Sequence, residues 1–342
     1  MHRKLASLLV MMMVAMAGGP AADAGQRAAR RPVRRAIAGH HGINERTFVH
    51  QRSWGSGRRR VGLGRVARRL VPRRAPSGPG RLERRALDGR ELFIYLPPGY
   101  RAGEGRRYPV LILQDGQNLF GEGSHSWQVH RAIDAEVQAG RAEPVIVVGI
   151  PAQPTHEGRV GEYAVDRDAG LGLGGGGARY IDFVADRLVP WLRRELPVKS
   201  GARHVAIGGS SMGARIALEA ALARPDTFGK VLALSPSVWF NDAELLRRVE
   251  GGAPLPTTAE IYLDSGASGT SRDDADNVGR LRDALLARSF QHGSWDAPAR
   301  RAPRRLWHWV EPGHEHNETA WRERFPRALR VMFPADQAPA EP

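Results

Sequence analysis

Residues 205–214 read Val205-Ala206-Ile207-Gly208-Gly209-Ser210-Ser211-Met212-Gly213-Ala214. An apolar run that predicts a strand here gives way to a helix-like stretch, Ala214 to Ala223. A serine in such a sharp turn is pushed toward a substrate, and glycines two residues before and after it let strand and helix nearly touch. Ser211 fits this spacing, whereas Ser210 does not, because Met212 stands at its partner position. Ser211 is therefore the candidate nucleophile.

Short apolar runs alternate with longer amphipathic ones on both sides of this turn. The predicted strands are Glu91 to Leu96, Val110 to Leu113, Val145 to Ile150, Val205 to Ile207, Val231 to Leu234, Glu260 to Leu263 and Leu306 to Val310. The predicted helices are Trp127 to Gln138, Tyr180 to Glu195, Ala214 to Ala223, Ala243 to Val249, Asn277 to Ala287 and Glu318 to Leu329. Such alternation predicts a mostly parallel sheet with helices on both faces, in a single α/β domain of about 250 residues.

The pattern divides the chain into four parts. Residues 1–24 have a basic start, an apolar run and small residues at the end, which predicts a signal peptide and export to a periplasm or the outside. The run is too short for a membrane anchor. Residues 25–81 are predicted to be an Arg-rich disordered or linker segment, residues 82–334 the α/β domain, and residues 335–342 a flexible tail.

The net charge of +15 is concentrated in one region of the chain. Residues 25–85 contain 18 arginines and only two acidic residues, so the rest of the chain is close to neutral. This predicts a solvated linker, with weak contact to an anionic surface as the alternative. Few aromatic residues interleave the arginines, so no nucleic-acid partner is expected. The absence of cysteine excludes disulfides and thiolate metal sites.

A serine nucleophile needs a base, and a His-rich loop follows the last predicted strand. A base takes the serine proton, and a carboxylate holds the base in position; the expected chain order is serine, acid, histidine. Residues 311–318 form this loop and contain two histidines. His316 is the predicted base, because it stands next to the start of the final helix. His314 is the alternative.

Four aspartates compete for the acid position after the strand Glu260 to Leu263. We choose Asp274 and place Asp264 second, although one of the four can instead cap the helix that begins near Asn277. The remaining candidates are Asp273 and Asp276.

Acyl transfer also requires two donors directed at the developing oxyanion. One is the backbone amide of Met212, directly after the nucleophile. The other is predicted to come from residues 114–118, after the strand Val110 to Leu113, where we assign the amide of Gln117 by position.

Several blocks in this order resemble a known family. They are Tyr95-Leu96-Pro97-Pro98-Gly99-Tyr100, Tyr108-Pro109-Val110, Asp115-Gly116-Gln117-Asn118-Leu119-Phe120, Gly208-Gly209-Ser210-Ser211-Met212-Gly213-Ala214, Ala233-Leu234-Ser235-Pro236-Ser237, and His316-Asn317-Glu318 with Trp321. From about Leu82 to Phe333 the chain looks like the putative esterase family, which includes enterochelin esterases, esterase D, feruloyl esterase modules and mycolyltransferases.

The resemblance implies an α/β-hydrolase fold and a serine esterase without metal or cofactor. It implies Ser211 as nucleophile, His316 as base, and the amides of Gln117 and Met212 as the oxyanion hole. One departure is that many relatives carry an acidic residue close to the glycine matching Gly266, whereas Ala267-Ser268-Gly269-Thr270-Ser271 follows here. This leaves the acid open, and some relatives manage with a Ser/His pair.

The expected partner is a small-molecule or carbohydrate ester. Iron-siderophore trilactones, acylated carbohydrates and short-chain esters remain open as substrates, as does the oligomeric state. Candidate cations for an anionic substrate are Arg159, Arg167 and Arg179. Candidate aromatic pocket residues are Trp127, Tyr163, Trp239 and Trp321. The Gly-rich residues 170–177 are either a lid or a plain connector.

Two other functions compete with ester hydrolysis. An acyltransferase to a sugar hydroxyl uses the same acyl-enzyme and differs only in whether an alcohol or water attacks it. A non-catalytic surface-binding module on a hydrolase scaffold is the other alternative. The ordered Ser, Asp and His candidates disfavour the non-catalytic module, and hydrolysis is the leading hypothesis.

Overall fold

The computed structural model describes residues 78–256, 259–293 and 304–335. The predicted signal peptide, the Arg-rich segment up to residue 77 and all but the first residue of the 335–342 tail lie outside the described residues. The predicted domain, 82–334, lies within them apart from two internal gaps. No helix in the described ranges is long and apolar enough to cross a membrane.

The strands lie close to the predicted positions. They are β1 (Arg81–Leu87), β2 (Arg90–Leu96), β3 (Val110–Leu113), β4 (Ile146–Gly149), β5 (Arg167–Asp168), β6 (Leu173–Gly174), β7 (Val205–Ser211), β8 (Lys230–Pro236), β9 (Ala259–Gly266), β10 (Gln291–His292) and β11 (Arg304–Glu311). Nine of them form one sheet in the order β1-β2-β4-β3-β7-β8-β9-β11-β10, and β5 pairs with β6 in a small separate sheet. In the large sheet, β2 pairs antiparallel with β1 and with β4, and the other neighbours run parallel.

Strand β1 is the main element that the sequence pattern did not predict. It lies at the edge of the sheet, and its residues alternate between exposed and partly buried positions. An edge strand keeps its charged side chains in solvent, so no apolar run marks it. The sheet therefore begins with an antiparallel hairpin before the parallel strands.

The helices cover the sheet as predicted. They are α1 (Val129–Gln138), α2 (His156–Tyr163), α3 (Gly177–Asp182), α4 (Val189–Glu195), α5 (Met212–Ala223), α6 (Phe240–Glu250), α7 (Ala275–Ala287) and α8 (Glu318–Met332). A π-helical segment, Phe183–Leu188, joins α3 to α4, so the helix predicted from Tyr180 to Glu195 is one continuous helical stretch. Only α2 had no predicted counterpart.

Both faces of the sheet are buried. Along β3, Val110 and Ile112 belong to one apolar cluster and Leu111 and Leu113 to the other, and all four side chains are fully buried. Helices α1 and α8 cover the Leu111 face, and helices α2 to α7 cover the other. This confirms the predicted α/β class and explains why the central strands are continuous apolar runs rather than alternating ones.

The parallel strands bring the loops of the site together. β3, β7, β8, β9 and β11 run in the same direction, so the loops that follow them emerge at one edge of the sheet. All of the residues that the sequence proposed for catalysis lie in or next to these loops.

Candidate active site

Ser211 lies at the turn between β7 and α5 in a backbone conformation that side chains rarely adopt. Its φ is 56° and its ψ is −128°. A Cβ on Gly209 would lie 2.8 Å from the carbonyl carbon of Gly213, and a Cβ on Gly213 would lie 2.9 Å from Gln114 Cβ. The glycines are thus required by close contact between strand, helix and the loop after β3. The strain of the turn is held by well-packed surroundings, as is common at functional sites.

His316 lies in the loop between β11 and α8. The side chain of Asn317 accepts a hydrogen bond from the Ala320 amide at 3.0 Å and so caps α8 directly after this histidine. The ring of His316 packs edge-on against Trp321, with 5.0 Å between ring centroids. Its Nδ1 lies 2.5 Å from Asp273 Oδ1. Nε2 is therefore the nitrogen left to face a serine hydroxyl.

The alternative histidine points elsewhere. His314 Nε2 lies 3.3 Å from Glu323 Oε2, and the backbone carbonyl of His314 accepts hydrogen bonds from Ala267 and Ser268. The structure therefore places His316, rather than His314, beside a buried carboxylate.

The acid beside His316 is Asp273, not the predicted Asp274. Asp273 is fully buried and also accepts hydrogen bonds from the Ser235 hydroxyl, at 2.6 Å, and from the Gly266 amide. Burial alone would raise the pKa of Asp273, but the hydrogen bonds from His316, Ser235 and Gly266 outweigh it and hold the pKa below its usual value.

The other three aspartates have different partners. Asp274 accepts hydrogen bonds from the Trp239 amide and the Asn277 side chain, and burial raises the pKa of its carboxyl to about 6. Asp264 is buried in β9 beneath the site, and Asp276 is exposed on α7.

The physical reason for the difference is the backbone of residues 271–274. All four residues have φ between 51° and 58°, so this segment turns with the left-handed sense. The turn carries Asp273 inward to His316.

Ser211 and the Asp273–His316 pair lie at the same edge of the sheet. Ser211 stands opposite Pro236 in the register of β7 and β8, and Ser235, one residue before, holds Asp273. The Ser211 hydroxyl lies 3.2 Å from Ser237 Oγ. Among the residues that the structure describes, it forms no hydrogen bond with the ring of His316. Catalytic hydrogen bonds are often loose before substrate binds, and rotation about the Cα–Cβ bond of the serine redirects its hydroxyl.

The two candidate oxyanion donors lie beside the turn. Met212 is the first residue of α5, so its amide has no acceptor within the helix. Gln117 lies in a 3₁₀ turn after β3, and its side-chain oxygen accepts a hydrogen bond from the Ala152 amide at 3.1 Å. A Cβ on Gly116 would lie 2.8 Å from the backbone after β4, so glycine is required for this turn to pack there.

An ion pair that the sequence did not reveal supports this turn. Asp115, with φ of 55°, binds Arg159 through two hydrogen bonds of 2.7 and 2.8 Å. The Asp115 amide also donates to the Tyr163 hydroxyl at 3.1 Å. Arg159 and Tyr163 were candidates for contacting substrate, but in the structure they brace the loop of Gln117 from α2.

The remaining candidate substrate residues are dispersed. Trp127 and Trp321 are buried in the core, and Trp239 is partly buried. Arg167 and Arg179 line a cavity of about 850 Å³ beside α2, which is also bordered by the Gly-rich loop. Neither Ser211 nor His316 lines that cavity. Among the described residues, no group of three or more His, Cys, Asp or Glu side chains is arranged to hold a metal ion.

Replacing Asp273 with asparagine is expected to lower kcat/KM for a p-nitrophenyl ester about a thousandfold, because the neutral amide no longer stabilises the imidazolium or fixes its tautomer. Asp274→Asn is the matched control, since it alters a neighbouring buried carboxyl that does not contact His316. Steady-state kinetics on both variants checks this. Equal losses in the two variants, or a larger loss in Asp274→Asn, would contradict the assignment of Asp273.

A mostly parallel sheet with a strained serine at the turn after its central strand defines an α/β-hydrolase. The family model described as "Putative esterase" matches residues 87–332. The chain therefore belongs to this esterase family and is by class a carboxylic-ester hydrolase.

Individual relatives agree with this membership. The chain is 26% identical over 193 residues to the uncharacterized protein YbbA of Bacillus subtilis, an alignment that covers 55% of this chain and 72% of that protein. It is 32% identical over 153 residues to the iron(III) salmochelin esterase of Escherichia coli, covering 44% of this chain and 33% of the relative. The chain thus spans about a third of that esterase.

Solved structures show the same fold. The enterochelin esterase of Shigella flexneri superposes with a TM-score of 0.55 at 20% identity, covering 76% of this chain and 59% of that one. This similarity confirms the predicted fold, and the family model confirms the predicted esterase family.

Proposed function

We propose that this protein is an exported serine esterase that acts through Ser211, His316 and Asp273. The observation that carries the proposal is the buried Asp273–His316 pair at the same sheet edge as the strained Ser211 turn. Export is proposed from the leader-like pattern of residues 1–24. The predicted acid Asp274 is replaced by Asp273 because of the contacts described above.

In the first half-reaction, His316 Nε2 accepts the hydroxyl proton of Ser211 while the serine oxygen attacks the ester carbonyl carbon. The carbonyl electrons move onto oxygen, and the amides of Gln117 and Met212 donate hydrogen bonds to the resulting oxyanion. Collapse of this intermediate breaks the ester C–O bond. The departing alkoxide takes the proton from His316, which leaves an acyl group on Ser211.

In the second half-reaction, water loses a proton to His316 and attacks the acyl carbon. The acid is released, and the proton returns to Ser211. Asp273, held ionised by its hydrogen bonds, stabilises the imidazolium in both half-reactions.

We propose siderophore esters as the substrate class. The support is the 32% identity over 153 residues to an iron(III) salmochelin esterase. Acylated sugars and short-chain esters remain the competing classes.

A panel of ferric and iron-free siderophore lactones, feruloyl sugars and p-nitrophenyl esters tests this. We expect the highest kcat/KM on a siderophore lactone, with release of free acid and alcohol detected by chromatography. A clear preference for a feruloyl sugar, or transfer of the acyl group to an added polyol in place of water, would contradict the proposed substrate class.

A further inference from the structure

A buried polar cluster lies directly beneath the Asp273–His316 pair. It consists of Ser235 at the end of β8, Asp264 in β9, and Arg324 and Trp321 in α8. Ser235 and Asp264 are fully buried, and Arg324 is 1% exposed. Burying a guanidinium costs free energy unless it is paired with acceptors or carboxylates. The partners of Arg324 therefore indicate which groups the cluster holds in place.

The hydroxyl of Ser235 is the junction of this cluster. It lies 3.0 Å from Trp321 Nε1, 2.7 Å from Arg324 Nη2 and 2.6 Å from Asp273 Oδ2. Indole and guanidinium groups can only donate hydrogen bonds, so they use the two lone pairs of the hydroxyl. The single hydrogen of Ser235 is thereby directed to Asp273.

The backbone of Ser235 is fixed as tightly as its side chain. Its φ is 44°, a conformation unfavourable for serine, and its amide donates to Asp264 Oδ1 at 3.3 Å. Asp264 also accepts a hydrogen bond from the Tyr262 hydroxyl at 3.0 Å. The strained backbone and the saturated hydroxyl together aim one donor at the carboxylate that holds His316.

Charged groups surround this carboxylate on several elements. Arg324 Nη1 from α8 lies 3.6 Å from both Asp264 Oδ1 and Asp273 Oδ2, so one cation faces two carboxylates. Burial raises the pKa of Asp264 to about 6, against the opposing effects of Arg324 and the Tyr262 hydroxyl. Asp274 interacts electrostatically with His316 and Asp273, and Arg327 in α8 does so with Tyr262 and Asp264.

We propose that Ser235 is a positioning residue of the triad, which fixes Asp273 Oδ2 so that Oδ1 remains free to hold His316. The proposal rests on the catalytic roles given to Asp273 and His316 above. Trp321 and Arg324 act on Ser235 by filling its lone pairs, which leaves its hydroxyl one orientation.

Removing the Ser235 hydroxyl is expected to change the electrostatics of Asp273 in one direction. Without the Ser235 hydroxyl, Asp273 keeps more negative charge on its oxygens and attracts the protonated imidazole more strongly. Loss of this hydrogen bond therefore raises the pKa of Asp273, because the Ser235 hydroxyl is one of the donors that hold that pKa below its usual value. A purely structural role would lower stability without this displacement.

The test is an NMR titration of the Asp273 carboxyl in the full chain, together with steady-state kinetics. In Ser235→Ala and Ser235→Gly, we expect the titration midpoint of Asp273 to move up by about half a pH unit. We also expect kcat to fall about tenfold with KM nearly unchanged, because the carboxylate is less well oriented. Glycine accepts the positive φ without strain, so this variant remains informative if Ser235→Ala does not fold.

Ser265→Ala is the matched control. Ser265 is also fully buried at the end of β9, and its hydroxyl has no hydrogen-bond partner in the described part of the chain. We expect its titration midpoint and kcat to match those of the wild type.

An unmoved Asp273 midpoint in both Ser235 variants would overturn the proposal, whether or not kcat falls. The titration does not depend on turnover, so this failure is distinct from failure of the proposed function. The latter would appear as full esterase activity in Ser211→Ala.

Discussion

Ser211→Ala is expected to lower kcat/KM for p-nitrophenyl butyrate by at least about ten-thousandfold, because it removes the proposed nucleophile that forms the acyl-enzyme. The change removes one oxygen, whose hydrogen bond in the structure is to Ser237. Alanine also retains the Cβ that the strained turn already accommodates, so the thermal unfolding midpoint should stay close to that of the wild type. Steady-state kinetics and thermal unfolding measure the two effects.

Ser210→Ala is the control for this prediction. Ser210 is buried in β7 and precedes the strained residue, so its loss should leave kcat/KM within about threefold of the wild type. Substantial residual activity in Ser211→Ala, or loss of activity only in Ser210→Ala, would show that the nucleophile has been misassigned.

His316→Ala is expected to have an effect of the same size. Without an imidazole to accept its proton, a serine hydroxyl is a poor nucleophile at neutral pH. Because the two groups act as a unit, Ser211→Ala/His316→Ala should be hardly worse than either single variant. Kinetics of the three variants at saturating and limiting ester concentrations checks this.

His314→Ala is the matched control, two residues away in the same loop. Its ring faces Glu323 rather than a buried carboxylate, so we expect a loss of less than about tenfold. If His314→Ala were inactive and His316→Ala active, the assignment of the base would be reversed.

The sequence predicted the sheet well where burial on both faces dictates the residue type. Strand β3 is predicted with its observed bounds, Val110 to Leu113, because all of its side chains are apolar and buried. Strand β1 escaped prediction because its charged side chains lie at an open edge. Helix α2 is short and contains two glycines, so no apolar periodicity marks it.

The serine turn was predictable because its geometry requires glycines at a fixed spacing. The carboxylate partner of His316 was not, because the left-handed conformation of residues 271–274 determines which of two adjacent aspartates points inward. Nothing in the residue types of Asp273 and Asp274 distinguishes them. Their environments do so only after the turn has formed.

The contacts that support the site could not be predicted from the sequence for a different reason. Asp115 and Arg159 are 44 residues apart, and Ser235 and Arg324 are 89 apart. Each contact forms only when two loops or helices pack together at the edge of the sheet. The spacing of the two residues along the chain does not predict such a contact.

An activated hydroxyl on Ser211 is expected to form a covalent acyl-enzyme. Mass spectrometry of the intact chain and its peptides after reaction with a fluorophosphonate shows which hydroxyl is activated. We expect a single adduct on Ser211, absent from Ser211→Ala and strongly slowed in His316→Ala. An adduct on Ser210 or Ser237, or an unlabelled chain that still hydrolyses esters, would contradict this expectation.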